Sequence, residues 1–100
     1  MTDPVHWLLL YDFAEGYMER RQQYREQHLA LANDAVERGE MVMAGALVDP
    51  VDGAALVFRG PDESVAARFA EADPYVINGL VTQWRVRRWR VVVGPDPEPP

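Results

Sequence analysis

The side chain best suited to moving protons near neutral pH is histidine, and this chain has two of them, His6 and His28. His28 lies in residues 17–38, a segment without proline or glycine. Its less polar residues recur at spacings of three, four and seven, the pattern of one helical face: Tyr17, Tyr24, His28, Leu31 and Ala35. An unpaired polar group buried on such a face costs about 1–3 kcal/mol, so His28 needs a hydrogen-bond partner.

The candidate partner is Asp73, which directly precedes Pro74 at the end of a second predicted helix. A residue before proline is pushed out of the helical region, and proline cannot donate the next hydrogen bond, so the helix must end there. A carboxylate beside an imidazole fixes its tautomer and stabilises its protonated form. We therefore predict that His28 and Asp73 meet if both helices cover the same face of one sheet.

Composition excludes several kinds of chemistry. The 100 residues contain no cysteine and no lysine, which excludes disulfides, thiolate metal sites and Schiff bases. The two histidines have no metal-binding spacing, so we predict no metal site. A net charge of −6 argues against nucleic acid or an anionic membrane as a partner. The basic run Arg85, Arg87, Arg88 and Arg90 is better explained as a charged edge of the last strand.

The predicted elements follow one another as strand, helix, strand, strand, helix, strand. The strands are 6–11, 41–48, 53–58 and 82–93, and the helices are 17–38 and 62–72, the second starting at Asp62 or Glu63. This order is the ferredoxin-like βαββαβ pattern of the α+β class. The first and third strands are apolar on both faces, which predicts that they form the inner pair.

Three further features of the chain carry predictions. The apolar residues of the last strand change phase around Arg87 and Arg88, which predicts a bulge there. The proline-rich residues 94–100 should form an extended, disordered tail after a domain of residues 1–93. No apolar run reaches the roughly 18 residues that a membrane span requires, and the N-terminus lacks a positive leader, so we expect a cytoplasmic protein.

Two helices cover only one face of such a sheet. The other face also carries apolar side chains and needs a cover, and a second copy of the same sheet supplies it. We therefore predict a homodimer with the two sheets packed face to face.

Several short motifs in combination resemble the YciI-like (YCII-related) family. They are Arg25 three residues before His28-Leu29, Ala44-Gly45 in the second strand, and Asp73-Pro74-Tyr75 followed by Gly79 and a closing strand. Two positions depart from the family pattern, because Ala46 and Arg88 stand where proline is common.

The resemblance implies a dimeric α+β barrel with a histidine–aspartate pair, here His28 and Asp73, in an active-site cleft. One member resembles a dehydrochlorinase of chlorinated hydroxyquinols, and the fold is similar to muconolactone isomerase. Both activities move a proton on a small substrate without a redox cofactor. The resemblance thus implies a lyase, isomerase or hydrolase with His28 as base.

Other residues have two interpretations each. Arg25 either binds a substrate carboxylate or enolate, or pairs with Asp73. Tyr75 and Trp7 either line the pocket or fill the core. His6 is either a second substrate-binding residue or part of the dimer core. The alternative function is a non-catalytic dimeric module that binds a small molecule, with His28 and Asp73 as a structural pair.

Overall fold

The computed structural model describes residues 5–99 as a four-stranded antiparallel sheet with helices on one face. The strands are β1 (His6–Phe13), β2 (Met41–Leu47), β3 (Gly53–Arg59) and β4 (Val81–Trp89). The helices are α1 (Tyr17–Arg20), α2 (Arg25–Glu37), α3 (Ser64–Ala72) and α4 (Pro74–Ile77). The predicted ferredoxin-like α+β order is confirmed. Within the described range, no helix combines the length and apolar character needed to cross a bilayer.

The strands lie in the order β2-β3-β1-β4, so β1 and β3 form the inner pair as predicted. Leu9 in the middle of β1 faces Leu56 of β3 and Val86 of β4 across the ladder. Leu9 and Leu56 are buried beneath Phe69 of α3 and its neighbours, in one core between sheet and helices. Alternation along each strand therefore sends one set of side chains to the helices and the other set to the opposite face.

That opposite face, which we call the open face, is largely apolar across β1, β3 and β2, whereas β4 contributes Gln83, Arg85 and Arg87 to it. The ladder places Leu8 and Leu10 of β1 beside Val57 and Ala55 of β3. The outer strand β2 adds Met43 and Leu47, whose exposed fractions are 60% and 51%; all of these side chains point away from the helices. Exposed apolar side chains of β2 therefore remain on this face of the chain, although Val57 in β3 is only 7% exposed.

The first helical segment is not one continuous helix, so this prediction was wrong. A 3₁₀ turn at Arg21–Gln23 separates α1 from α2. Polar residues 19–23 are exposed except for the half-buried Arg21, so little packing holds regular α geometry there. The interruption leaves His28 one turn into α2, where its backbone N–H donates to the Tyr24 carbonyl.

The bulge predicted at Arg87 and Arg88 is also wrong. β4 pairs with β1 in unbroken register from Gln83 to Trp89, and the irregularity lies at the other end, between Asp12 and Phe13. The strand ends at Trp89. The valines beyond it therefore lie outside the ladder and need not share its alternation.

The proline-rich segment after β4 forms neither helix nor strand, yet it contacts the sheet. Asp96 Oδ2 lies 2.6 Å from Arg59 Nη1, and Glu98 Oε2 lies 2.9 Å from Arg88 Nη2. The Glu98 backbone N–H also donates to the Val91 carbonyl at 2.8 Å. Acidic tail residues thus balance part of the arginine run.

Replacing the most enclosed residue of β1 tests this core. Leu9→Ala should lower the free energy of unfolding by about 2–5 kcal/mol, because a cavity remains between the central strands and α3. Val92→Ala, at an exposed position, should change it by less than about 0.5 kcal/mol. Urea unfolding followed by circular dichroism measures both. Equal losses in the two variants would contradict this packing.

Candidate active site

The site is built around the carboxylate of Asp73, which is 0% exposed. Asp73 ends α3 with extended backbone angles, and Pro74 begins α4 directly after it. Its oxygens accept hydrogen bonds from Tyr11 Oη (2.8 Å), His28 Nδ1 (2.9 Å) and the Tyr75 backbone N–H (3.0 Å). A buried charge requires such donors, and here three separate elements supply them.

His28 approaches Asp73 from α2. Its Nδ1 lies 2.9 Å from Asp73 Oδ1, and its side chain keeps 16% exposure. An ionised carboxylate only accepts hydrogen bonds, so Nδ1 must carry the proton. In the neutral imidazole, Nε2 then holds the lone pair and is available as a base.

Aromatic rings fix the plane of this imidazole. The Tyr75 ring stacks on His28 with centroids 4.0 Å apart and planes 10° from parallel. Tyr17 meets Tyr75 edge to face at 5.6 Å, and Phe13 stacks on Tyr17 at 3.7 Å. The rings form one aromatic wall, defined here as Phe13, Tyr17, Tyr75 and His28.

The aromatic wall borders a cavity of about 340 Å³ between α2 and the β2 side of the sheet. The cavity is lined from the sheet by small residues of β2 and from the helical side by α2 and the turn before it. These lining residues include Ala44, Gly45, Ala46, Arg21, Arg25, Leu29 and Ala32. Ala44 and Ala46 share the helix-facing side of the ladder with Leu56 and Ala54, so larger side chains there would fill the space.

Of the predicted substrate-binding residues, Arg25 and Tyr75 line this cavity. Arg25 is exposed, and among residues 5–99 the ion-pair partner of Asp73 is His28 alone. The predicted pairing of Arg25 with Asp73 is therefore absent.

His6 and Trp7 do not line the cavity, because they lie at the opposite end of β1 from Tyr11 and Phe13. Four strand residues span about 13 Å. Trp7 Nε1 donates to the Gly60 carbonyl at 3.1 Å. His6 is buried on the side of β1 that faces away from the helices, and its Nδ1 has no partner in the described part of the chain.

Tyr11 is a site residue that the sequence reasoning missed. Burial raises the pKa of its phenol above the ordinary value, and the negative charge of Asp73 and the hydrogen bond to it raise this pKa further. Tyr11 therefore keeps its proton and donates this hydrogen bond at neutral pH. The sequence did contain a signal for this role. Tyr11 lies on the same face of β1 as the apolar Leu9, and a phenol hydroxyl buried on that face needs a hydrogen-bond partner.

The Tyr75 hydroxyl is buried and has no hydrogen-bond partner within residues 5–99. Burial raises the pKa of this phenol and nearby Tyr17 adds to the rise, whereas the positive charge of Arg25 lowers it. Arg21 and Arg25 also give the cavity positive charge.

No three histidine, aspartate or glutamate side chains of the described residues cluster as metal ligands would. The site therefore consists of a buried carboxylate–imidazole pair beside a cavity of about 340 Å³, which is large enough for a small ligand. Fold and site together define a small α+β protein of the ferredoxin-like type. The YCII-related domain matches residues 5–90, and the chain belongs to that family.

Solved structures share this fold. The 5-chloro-2-hydroxyhydroquinone dehydrochlorinase TftG from Burkholderia phenoliruptrix AC1100, in complex with 2,5-dihydroxybenzoquinone, is 19% identical with a TM-score of 0.74; the match covers 86% of this chain and 94% of TftG. A NIPSNAP-like domain protein from Burkholderia xenovorans is 17% identical with a TM-score of 0.60, over 100% and 95% of the two chains. At these identities the similarity establishes the fold. No curated protein matches the sequence.

Alkaline unfolding tests the Tyr11 hydrogen bond. A raised folded-state pKa means that the stability contribution is complete below about pH 10 and is lost as the pH rises further, because the unfolded chain releases the proton first. Above about pH 10 the wild type should lose roughly 1.4 kcal/mol per pH unit more than Tyr11→Phe. The chain has no lysine to mask this slope.

Urea unfolding between about pH 9 and 11 measures this difference. Tyr24→Phe is the control, since Tyr24 makes no hydrogen bond to Asp73, and it should retain the wild-type slope. Identical slopes for wild type and Tyr11→Phe would contradict the hydrogen bond.

Proposed function

We propose that the protein is an enzyme that moves a proton on a small planar substrate, with His28 as the general base and Asp73 as its orienting partner. The observation that carries this proposal is the 2.9 Å contact between His28 Nδ1 and the buried Asp73 carboxylate at the border of the cavity. With Nδ1 occupied, Nε2 takes the substrate proton. The carboxylate then stabilises the imidazolium that forms.

The lining of the cavity supports a planar substrate that develops negative charge. The aromatic wall offers stacking surfaces for a flat, conjugated ring. Arg25 and Arg21 line the cavity, where their guanidinium groups would stabilise an enolate or carboxylate oxygen. A proton abstracted next to a carbonyl leaves such an oxygen anion.

The similarity to TftG supports the same class of substrate. TftG is a dehydrochlorinase of a chlorinated hydroxyquinol, and its structure holds a dihydroxybenzoquinone. We propose that this chain acts on a hydroxylated or lactone-like ring, in a lyase, isomerase or hydrolase reaction.

The second candidate is a non-catalytic module that binds such a molecule. The burial of Asp73 and its three hydrogen bonds favour it, because a network of that kind also stabilises a fold without catalysis. The two candidates differ in what removal of the imidazole should do. A catalytic His28 affects turnover, whereas a structural His28 affects stability.

His28→Asn and Asp73→Asn distinguish these functions. Turnover of a panel of hydroxyquinols and lactones should fall by about 10²–10⁴-fold in each variant, because the base or its orientation is lost. His6→Asn is the matched control and should keep full turnover, since His6 lies away from the cavity. Thermal melts complete the measurement. Variants that unfold while wild-type protein turns over nothing in the panel would favour the binding module.

We also propose that the working form is a homodimer. The apolar part of the open face supports it, since Leu8 and Leu10 of β1 lie on the same side of the sheet as the exposed Met43 and Leu47 of β2. A second copy of the sheet matches that surface in size and character. Its burial would give the dimer the hydrophobic contact that one protomer lacks.

Light scattering at micromolar concentration should give twice the 11.4 kDa monomer mass. Leu10→Glu places a charge in the centre of the open face and should shift the protein to the monomer. Ile77→Glu, at an exposed position of α4 on the helical side, should remain dimeric. A wild-type protein that is monomeric at this concentration would contradict the proposal.

A further inference from the structure

The hydrogen bond from Tyr11 reaches the one oxygen of Asp73 that nothing else contacts. Oδ1 accepts from both His28 Nδ1 and the Tyr75 backbone N–H, whereas Oδ2 accepts from Tyr11 alone among the described residues. Tyr11 is 3% exposed and Asp73 is 0% exposed, so the phenol rather than bulk solvent supplies this hydrogen bond. Without Tyr11, one oxygen of a buried carboxylate would have no donor.

A donor on Oδ2 has two effects on His28. It fixes rotation of the carboxylate, so that Oδ1 stays in line with the Nδ1–H bond. It also draws negative charge toward Oδ2, which weakens the attraction of the carboxylate for the imidazole proton. Both effects act on His28 although Tyr11 does not contact it.

The other groups near His28 would remain unchanged if the Tyr11 hydroxyl were removed. The titratable or charged groups that face the cavity and its aromatic wall are Tyr17, Arg21, Arg25 and Tyr75, besides Asp73 itself. They belong to α1, α2, α4 and the turn between α1 and α2, whereas Tyr11 belongs to β1. The contribution of Tyr11 can therefore be separated by one substitution.

We propose that Tyr11 is a positioning residue that holds Asp73 against His28 Nδ1 and thereby sets how tightly the imidazole binds a proton. The ring of Tyr11 borders the cavity, but its hydroxyl is bound to Asp73 rather than directed at a ligand. Any effect of Tyr11 on catalysis rests on the proposed function of His28. The effect of Tyr11 on the protonation of His28 does not depend on that function.

Proton NMR of the folded protein tests this role without any substrate. The chain has two histidines, so the Cε1–H resonance of His28 is assigned by its loss in His28→Asn. In Tyr11→Phe the midpoint of the His28 titration should move to higher pH by roughly half a unit, because the carboxylate attracts the imidazolium more strongly. Tyr24→Phe, a matched change in the turn just before α2, should leave the midpoint unchanged.

A second variant keeps the hydroxyl and reverses the expected sign. Incorporation of 3,5-difluorotyrosine at position 11 makes the phenol a stronger donor of nearly the same shape. The His28 midpoint should then move to lower pH. If Tyr11→Phe does not fold, this shift alone tests whether the Tyr11 hydroxyl affects the protonation of His28.

Opposite shifts in the two variants are the result expected of a positioning residue. A midpoint that is the same in wild type, Tyr11→Phe and the fluorinated protein would overturn the proposal and leave Tyr11 with packing alone. If the shifts occur while no compound is turned over, the positioning role stands and the proposed enzymatic function fails.

Discussion

A carboxylate removed from water needs donors, and the arrangement of this protein around Asp73 follows from that need. The donors come from β1, from α2 and from the first turn of α4, elements far apart in the sequence. The network therefore ties the sheet to α2 and α4 at one point. Removing one partner from a buried charge typically costs about 3–5 kcal/mol, far more than a surface contact contributes.

The same requirement connects stability with chemistry. Because Asp73 has no contact with solvent, its charge is directed at its donors and above all at the one that can be protonated and deprotonated, His28. Stacking on Tyr75 fixes the plane of the imidazole, and the cavity gives a ligand access beside it. The His28 ring is thus fixed by Asp73 and Tyr75 and borders the cavity, an arrangement that suits the role of general base proposed for it.

Much of this arrangement could be predicted from sequence because the signals are local. Hydrophobic periodicity gave the order of elements, and the apolar residues on both faces of the first and third strands gave the inner pair β1 and β3. The Asp73-Pro74 pair gave the end of α3, since proline permits few backbone conformations. The meeting of His28 with Asp73 followed once both helices were assigned to one face of the sheet.

The features that sequence could not give depend on contacts between distant residues. Tyr11 differs from its neighbours in β1 only through a partner 62 positions away. The break between α1 and α2 comes from missing packing rather than from proline or glycine. His6 and Trp7 were placed at the site by residue type alone, whereas the direction and length of β1 take them to its far end.

The ion pairs between the acidic tail and the sheet have a practical consequence for work with the protein. Asp96 and Glu98 bind Arg59 and Arg88 near the end of the sheet where His6 lies. A purification tag fused beyond Glu98 would thus begin close to this end of the sheet. High ionic strength would weaken the exposed Arg59–Asp96 pair, since such pairs are screened within a Debye length of about 8 Å in physiological salt, whereas the Glu98 side chain is only 7% exposed and is screened less.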